Sequence, residues 1–234
     1  MKTKAFLLII IIFLIGCQSK IEGEGNANSI QEYAIDTFSL LDVKCNCNLT
    51  LIPSQETKVV IESHENLIQN LKVNLKRNKL TIEEISTVEK FSLYNVNIYF
   101  DPQLKNINLG QQTKMKISGT MKAKEIIMNL SDNAILNNAY LELKTFDLEM
   151  NDQSQATING TAIDQNISTN DESIADLSNL QGVDVEIKAK KNSSLTVNAM
   201  KNLSGTAYDN AKVYFLGDPK KDISEKDRAT IQNK

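Results

Sequence analysis

Small residues recur along the second half of this chain at a spacing close to twenty. Thr113, Ala134, Ser154, Ser173, Ser193 and Ala211 follow one another at intervals of 21, 20, 19, 20 and 18. Two residues after each stands Met115, Leu136, Ala156, Ala175, Leu195 or Val213. Four after each stands Ile117, Asn138, Ile158, Leu177, Val197 or Phe215, with Asn138 the single polar interruption. Six before each lies Ile107, Met128, Leu148, Ile167, Ile187 or Gly205. A period near twenty with apolar residues at every second position is the pattern of a β-solenoid. One coil of short strands cannot bury its inward side chains alone. Coils stacked about 4.8 Å apart turn those side chains into continuous apolar rows. Lys114, Lys116, Asp176, Thr196 and Lys212 fall between the rows and face water. The expectation is therefore an all-β, single-domain parallel β-helix over residues from about 104 to 217. A β-sandwich also alternates apolar and polar residues, but it has no need to hold six copies in register.

The amino terminus points to export. Met1-Lys2-Thr3-Lys4 is basic, residues 5–15 are unbroken apolar, and Gly16 precedes Cys17, which is the layout of a secretory signal peptide. Eleven helical residues span about 16 Å against a hydrocarbon core of about 30 Å, so the run is too short to cross a membrane. Leu14-Ile15-Gly16-Cys17 resembles the lipobox of bacterial lipoproteins. That resemblance implies cleavage of residues 1–16 and acyl chains such as palmitate on Cys17. Several chains, at about 0.8 kcal/mol per buried CH₂, make a stable membrane anchor. Gln18 and Ser19 follow, with no aspartate directly after the cysteine. By analogy with such signals the expected location is the outer membrane, periplasmic or surface-exposed. Residues 17–32, polar and containing Gly23 and Gly25, are expected to form a lipidated tether with little structure. Residues 33–219 are assigned to the β-helical domain. The charged tail 220–234 is expected to be a cap or a frayed end that keeps the last coil from pairing with another molecule.

Charge narrows the partners. The chain carries 26 Lys and Arg against 29 Asp and Glu; removing Lys2 and Lys4 with the signal takes the net charge from −3 to −5. A nucleic-acid partner is excluded on that balance. Pro occurs only three times and Gly nine, so most turns fall to Asn and Asp.

Short alternating runs in the first half predict strands at residues 43–52, 59–63, 71–75, 80–85 and 96–100, with a turn at Arg77-Asn78-Lys79 and a possible short helix within residues 63–71. Cys45 and Cys47 lie in the first of these runs, on its apolar side. Two residues along a strand are about 6.6 Å apart, too far for a normal disulfide, so buried free thiols are expected. A zinc site would need further ligands, and the single histidine is His64.

Residues 38–51, Leu71-Lys72-Val73-Asn74-Leu75 with Leu80-Thr81-Ile82, Val96-Asn97-Ile98-Tyr99-Phe100 leading to Pro102 and Leu104, and the closing Val213-Tyr214-Phe215-Leu216-Gly217-Asp218-Pro219 together resemble the family described as "putative auto-transporter adhesin, head GIN domain". The resemblance covers most of the mature chain. It implies a β-helical solenoid in the cell envelope and an adhesive role given to the family by analogy. Ser-Gly pairs, common at the family's coil corners, are few in this sequence: Ser118-Gly119 and Ser204-Gly205 are the clear ones.

Parallel β-helices also carry polysaccharide lyases and hydrolases, so a carbohydrate-active enzyme is the alternative to a non-catalytic binding, adhesion or scaffolding module with a polysaccharide or protein ligand. Such chemistry needs convergent carboxylates with a basic residue or a cation. Gln111, Asp132, Asp152, Asp171, Lys191 and Asp209 stand two residues before the small anchors, which stacks Asp132, Asp152 and Asp171 on three consecutive coils. They are weak candidates for a calcium site. Turn chemistry is the simpler reading, because Gln112, Asn133, Gln153, Glu172, Asn192 and Asn210 follow them. Neighbouring carboxylates 4.8 Å apart repel by only about 0.9 kcal/mol in water, so no metal is required. Ser63-His64-Glu65 has the residue types of a hydrolase triad, but adjacent side chains on a strand point apart. No catalytic residue, resident metal or cofactor is assigned.

Overall fold

The computed structural model describes residues 20–234, so the expected signal at 1–16 and the expected lipidation site Cys17 lie outside the described residues. The chain forms β1 (Lys20–Glu22), β2 (Ser29–Ala34), β3 (Leu40–Lys44), β4 (Asn48–Pro53) and β5 (Lys58–Ser63), then one short helix α1 (Glu65–Gln69). After it come β6 (Leu71–Lys76), β7 (Lys79–Glu84), β8 (Thr87–Lys90), β9 (Tyr94–Phe100), β10 (Asn106–Gly110) and β11 (Lys114–Ile117). The strands then lengthen into β12 (Thr120–Leu130), β13 (Ile135–Met150), β14 (Gln155–Thr169), β15 (Ile174–Ala189) and β16 (Ser194–Ala207). The chain closes with β17 (Lys212–Leu216), β18 (Lys220–Glu225) and β19 (Thr230–Asn233).

The second half is a parallel β-solenoid in the expected register. Met115 pairs with Leu136, Leu136 with Ala156, Ala156 with Ala175, Ala175 with Leu195, and Leu195 with Val213, all across parallel strands. All six are buried. The second row runs Ile107, Met128, Leu148, Ile167, Ile187 and Gly205 in the same way. β13 shows how one strand serves three walls. Its residues 135–136 pair with β11, 140–143 with the start of β12, and 145–150 with the end of β12. Apolar rows on every wall thus share one core.

Asn138 is explained by a bulge. Its φ is 46°, the β13–β14 ladder slips between Leu136 and Ala139, and buried Ala139 takes the inward place opposite Ile158. Asparagine accepts the left-handed conformation that the extra residue needs. The insertion makes that coil one residue longer than the next, 20 against 19.

The first half belongs to the same solenoid, but out of chain order. β4 lies between β9 and β11, and β3 between β7 and β10, all parallel. Leu49 therefore extends the first apolar row between Val96 and Met115, and Leu41 extends the second between Leu80 and Ile107. Above these coils the pairing turns antiparallel: β6 with β7 through Arg77 and Asn78 (φ 50° and 66°), β5 with β9, and β2 with β5.

Both expected loose ends are built into the fold. In the stretch assigned as tether, residues 17–32, β1 pairs in parallel with β8, and β2 pairs with β5. The Gly23 amide donates to Lys90 O at 2.8 Å, and Asn66 Nδ2 donates to Glu22 O at 2.8 Å. His64 lies against Gly23, where an added Cβ would come within 2.3 Å of His64 Cδ2. Polar composition disguised these strands because each packs one side only. Gly23→Ala should therefore push the His64 ring aside and cost about 1–3 kcal/mol. Hydrogen exchange at residues 20–24 would show faster opening; unchanged protection would contradict this packing. The tail 220–234, expected as a cap or a frayed end, forms a further coil that covers the one before it: β18 pairs with β16 and β19 with β17, around a turn at Asp227 (φ 60°).

Candidate functional site

The coil turns form one continuous polar corner. Each begins with a residue held at positive φ: Gln111 (54°), Asp132 (49°), Asp152 (52°), Asp171 (58°), Lys191 (56°) and Asp209 (58°). Gln112, Asn133 and Gln153 are left-handed as well. The small anchors follow because their side chains are fully buried inside the corner, where Thr113, Ala134, Ser154, Ser173, Ser193 and Ala211 leave no room for bulk. Amide ladders join successive turns: Asn133 Nδ2 donates to Gln153 Oε1 (3.3 Å), Gln153 Nε2 to Glu172 Oε2 (2.9 Å), and Asn210 Nδ2 to Asn192 Oδ1 (3.1 Å).

Lys191 occupies the next step of the aspartate row and forms an ion pair with Asp171. Hydrogen bonding to Asp171, then the charge of Asp171, hold its ammonium above the ordinary lysine range, with smaller contributions from Asp152 and Asp209. The corner thus carries its own counter-ion. Among the described residues, no three His, Cys, Asp or Glu side chains come together as a set able to hold a metal ion. Shallow hollows of about 360 Å³ and 640 Å³ run along this corner, lined by Asp, Asn, Gln and Lys side chains with Glu172 in the first and Arg228 in the second.

Ser63, His64 and Glu65 do not form a catalytic line. Ser63 Oγ donates to Leu93 O at 2.8 Å. The Ser92 amide donates to His64 Nε2 at 3.3 Å, which leaves Nδ1 to donate to Glu24 O at 3.2 Å. Glu65 opens α1 and accepts from Gln69 Nε2.

The cysteine expectation is overturned. Residues 45–47 form a bend between β3 and β4 instead of continuing one strand, and Cys45 and Cys47 are joined by a disulfide. The bend shortens their Cα separation to 5.2 Å, inside the range a disulfide accepts. Both residues are buried, and Thr113 Oγ1 from the next coil donates to Cys45 O at 2.9 Å. The strand spacing used for the sequence estimate does not apply at a corner.

Beside this bend lies Glu84, which sequence reading passed over although it falls on the inward register of Leu80 and Ile82. Its carboxylate accepts the Asn46 amide at 3.0 Å and the Val88 amide at 3.3 Å. Desolvation nevertheless dominates and raises its pKa above 4.5, the amide hydrogen bonds opposing. Burial, then the Glu84 charge, push the Tyr94 phenol up as well. A raised carboxyl pKa means the folded protein binds more protons than the unfolded chain, so the contribution of Glu84 to stability falls as pH rises from about 4.5 through the folded value. Melting wild type and Glu84→Gln between pH 4 and 8 should show this decline in the wild type alone. Parallel curves would contradict it.

An apolar hollow lies away from the corner. A cleft of about 410 Å³ lies between residues 53–55, residues 120–123, and Phe100, Pro102 and Leu104.

The family model described as "putative auto-transporter adhesin, head GIN domain" matches residues 37–219. The chain belongs to this family. No curated protein matches the chain. The GIN-domain fold is shared with the crystal structure of a "putative adhesin" from Bacteroides fragilis, at 18% identity and a TM-score of 0.85, covering 92% of this chain and all of that one. A "putative lipid binding protein" from Parabacteroides distasonis aligns at 15% identity and a TM-score of 0.69, and a "putative adhesin" from the same species at 16% and 0.68. Each of these covers 92% of this chain and all of its own. At such identities the likeness shows the fold.

Proposed function

We propose that this GIN-domain protein is a lipid-anchored, non-catalytic module of the outer membrane that binds or adheres through the outer walls and corner of its solenoid. The observation that carries this reading is the corner itself: its polar groups are spent on turns, amide ladders and the Lys191–Asp171 pair. Asp152, Asp171, Glu172 and Lys191 do line one hollow there, but Lys191 is already paired with Asp171, and Asp152 and Asp171 hold the left-handed turn positions. The family's adhesin description and the lipobox-like Leu14 to Cys17 support envelope attachment. Among the described residues no helix is long and apolar enough to cross a membrane.

The test is made on cells. Protease shaving followed by immunoblotting reports whether the domain is outside. Attachment of expressing cells to polysaccharide- and protein-coated surfaces should exceed that of deletion cells. Purified protein should leave a polysaccharide panel uncut. Turnover that disappears with Asp132→Asn or Asp152→Asn would overturn the non-catalytic reading in favour of a carbohydrate-active enzyme.

A further inference from the structure

The solenoid wall that contains residues 120–123 and 140–143 is one rung short. Residues 120–123 of β12 pair with residues 140–143 below them, and those in turn pair with residues 159–162. Among the described residues no strand pairs with the opposite edge of residues 120–123. The coil above cannot supply one, because β4 ends at Pro53 and the chain turns back through residues 54–57 into antiparallel β5. The apolar cleft of about 410 Å³ occupies that place. All four residues 120–123 line it, including inward Met121 and outward Lys122, so it runs along the strand's edge rather than over one face.

We propose that this vacant rung is a docking site for an extended segment of a partner polypeptide, apolar at every second residue. Two independent features choose that occupant. A free strand edge offers backbone N–H and C=O groups that only another backbone satisfies along its length, which disfavours an acyl chain. The floor, with Phe100, Leu104 and Met121, asks for inward apolar side chains. The filled rungs below show the fitting pattern: in residues 140–143, Leu141 and Leu143 point in and are buried while Tyr140 and Glu142 point out. A four-residue slot is about 13 Å long, the length of a short added strand. Residues 53–55 and Pro102 complete the lining of the slot. The site deepens the binding-module reading by naming a partner class. Its test uses purified protein, so its failure leaves the cell-attachment result standing.

The probe is a fluorescein-labelled peptide Ala-Tyr-Leu-Glu-Leu-Lys, the sequence of residues 139–144, titrated by anisotropy into the complete mature protein. Saturable binding is expected. N-methylation of alternate amides should weaken it about tenfold in one phase, whereas methylation of the other set leaves it within about twofold, because one edge of the peptide pairs and the other faces solvent. Ala123→Trp, which fills the cleft from a half-buried position, should abolish binding with an unchanged melting temperature. Absence of saturable binding up to millimolar peptide overturns the proposal, as does equal loss with both methylated peptides. Self-association of the protein removed by Ala123→Trp would assign the slot to a second copy. Dodecanoate binding without peptide binding would assign it to a lipid. Either result also overturns the peptide assignment.

Discussion

Leu136→Ala should lower the unfolding free energy by about 2–5 kcal/mol, the range for truncating a fully buried leucine. Leu136 is completely buried and pairs with Met115 above and Ala156 below, so the row offers a small neighbour on one side only. Nothing large stands ready to slide into the cavity from the Ala156 side. A solenoid core is one row after another, and a void in one coil removes contacts from two interfaces. Lys114→Ala, one position from the row and exposed, should change stability by less than about 0.5 kcal/mol. Chemical denaturation of both variants checks the pair. A small effect at Leu136, or equal effects at both positions, would mean that the register assigned to this row is wrong.

Cys17→Ser should move the protein from the membrane fraction to the soluble fraction. The sulfur that carries the proposed first acyl chain would be gone, and the cleavage that exposes the second acylation site depends on it. Losing every chain removes about 0.8 kcal/mol for each buried CH₂, far more than a polar surface of net charge −5 recovers on an anionic membrane. Fractionation and immunoblotting measure the shift. Mass spectrometry of the amino-terminal peptide gives the independent check: an unmodified Cys17, or a mature start elsewhere, would sink the anchor.

The solenoid was legible because its evidence is periodic. Met115, Leu136 and Leu195 occur at coil spacing, and parallel stacking turns equal spacing into equal depth. The corner was legible for a related reason, since Asp and Asn are among the few non-glycine residues at ease with positive φ. What stayed hidden lacked repetition. Cys45 and Cys47 look like alternate residues of a strand until the bend between β3 and β4 is known. Polar β1 and β2 resemble a linker because their partners, β8 and β5, are far away in sequence. The apolar cleft is made by an absent neighbour, and no residue in the chain records an absence.

The interleaving of the first coils sets a schedule for a chain that is made amino terminus first. Residues 40–53 emerge early, yet their neighbours above and below come from residues 79–100 and 106–117. Two apolar strands wait with both edges bare until residues 79–100 arrive and with one edge bare until residues 106–117 do, and such edges recruit wrong partners. From β12 onward every strand lies on the coil before it and can settle as it appears. The front of this protein therefore needs shelter while the back assembles unaided, and its dependence on holding chaperones should end once residue 117 has emerged.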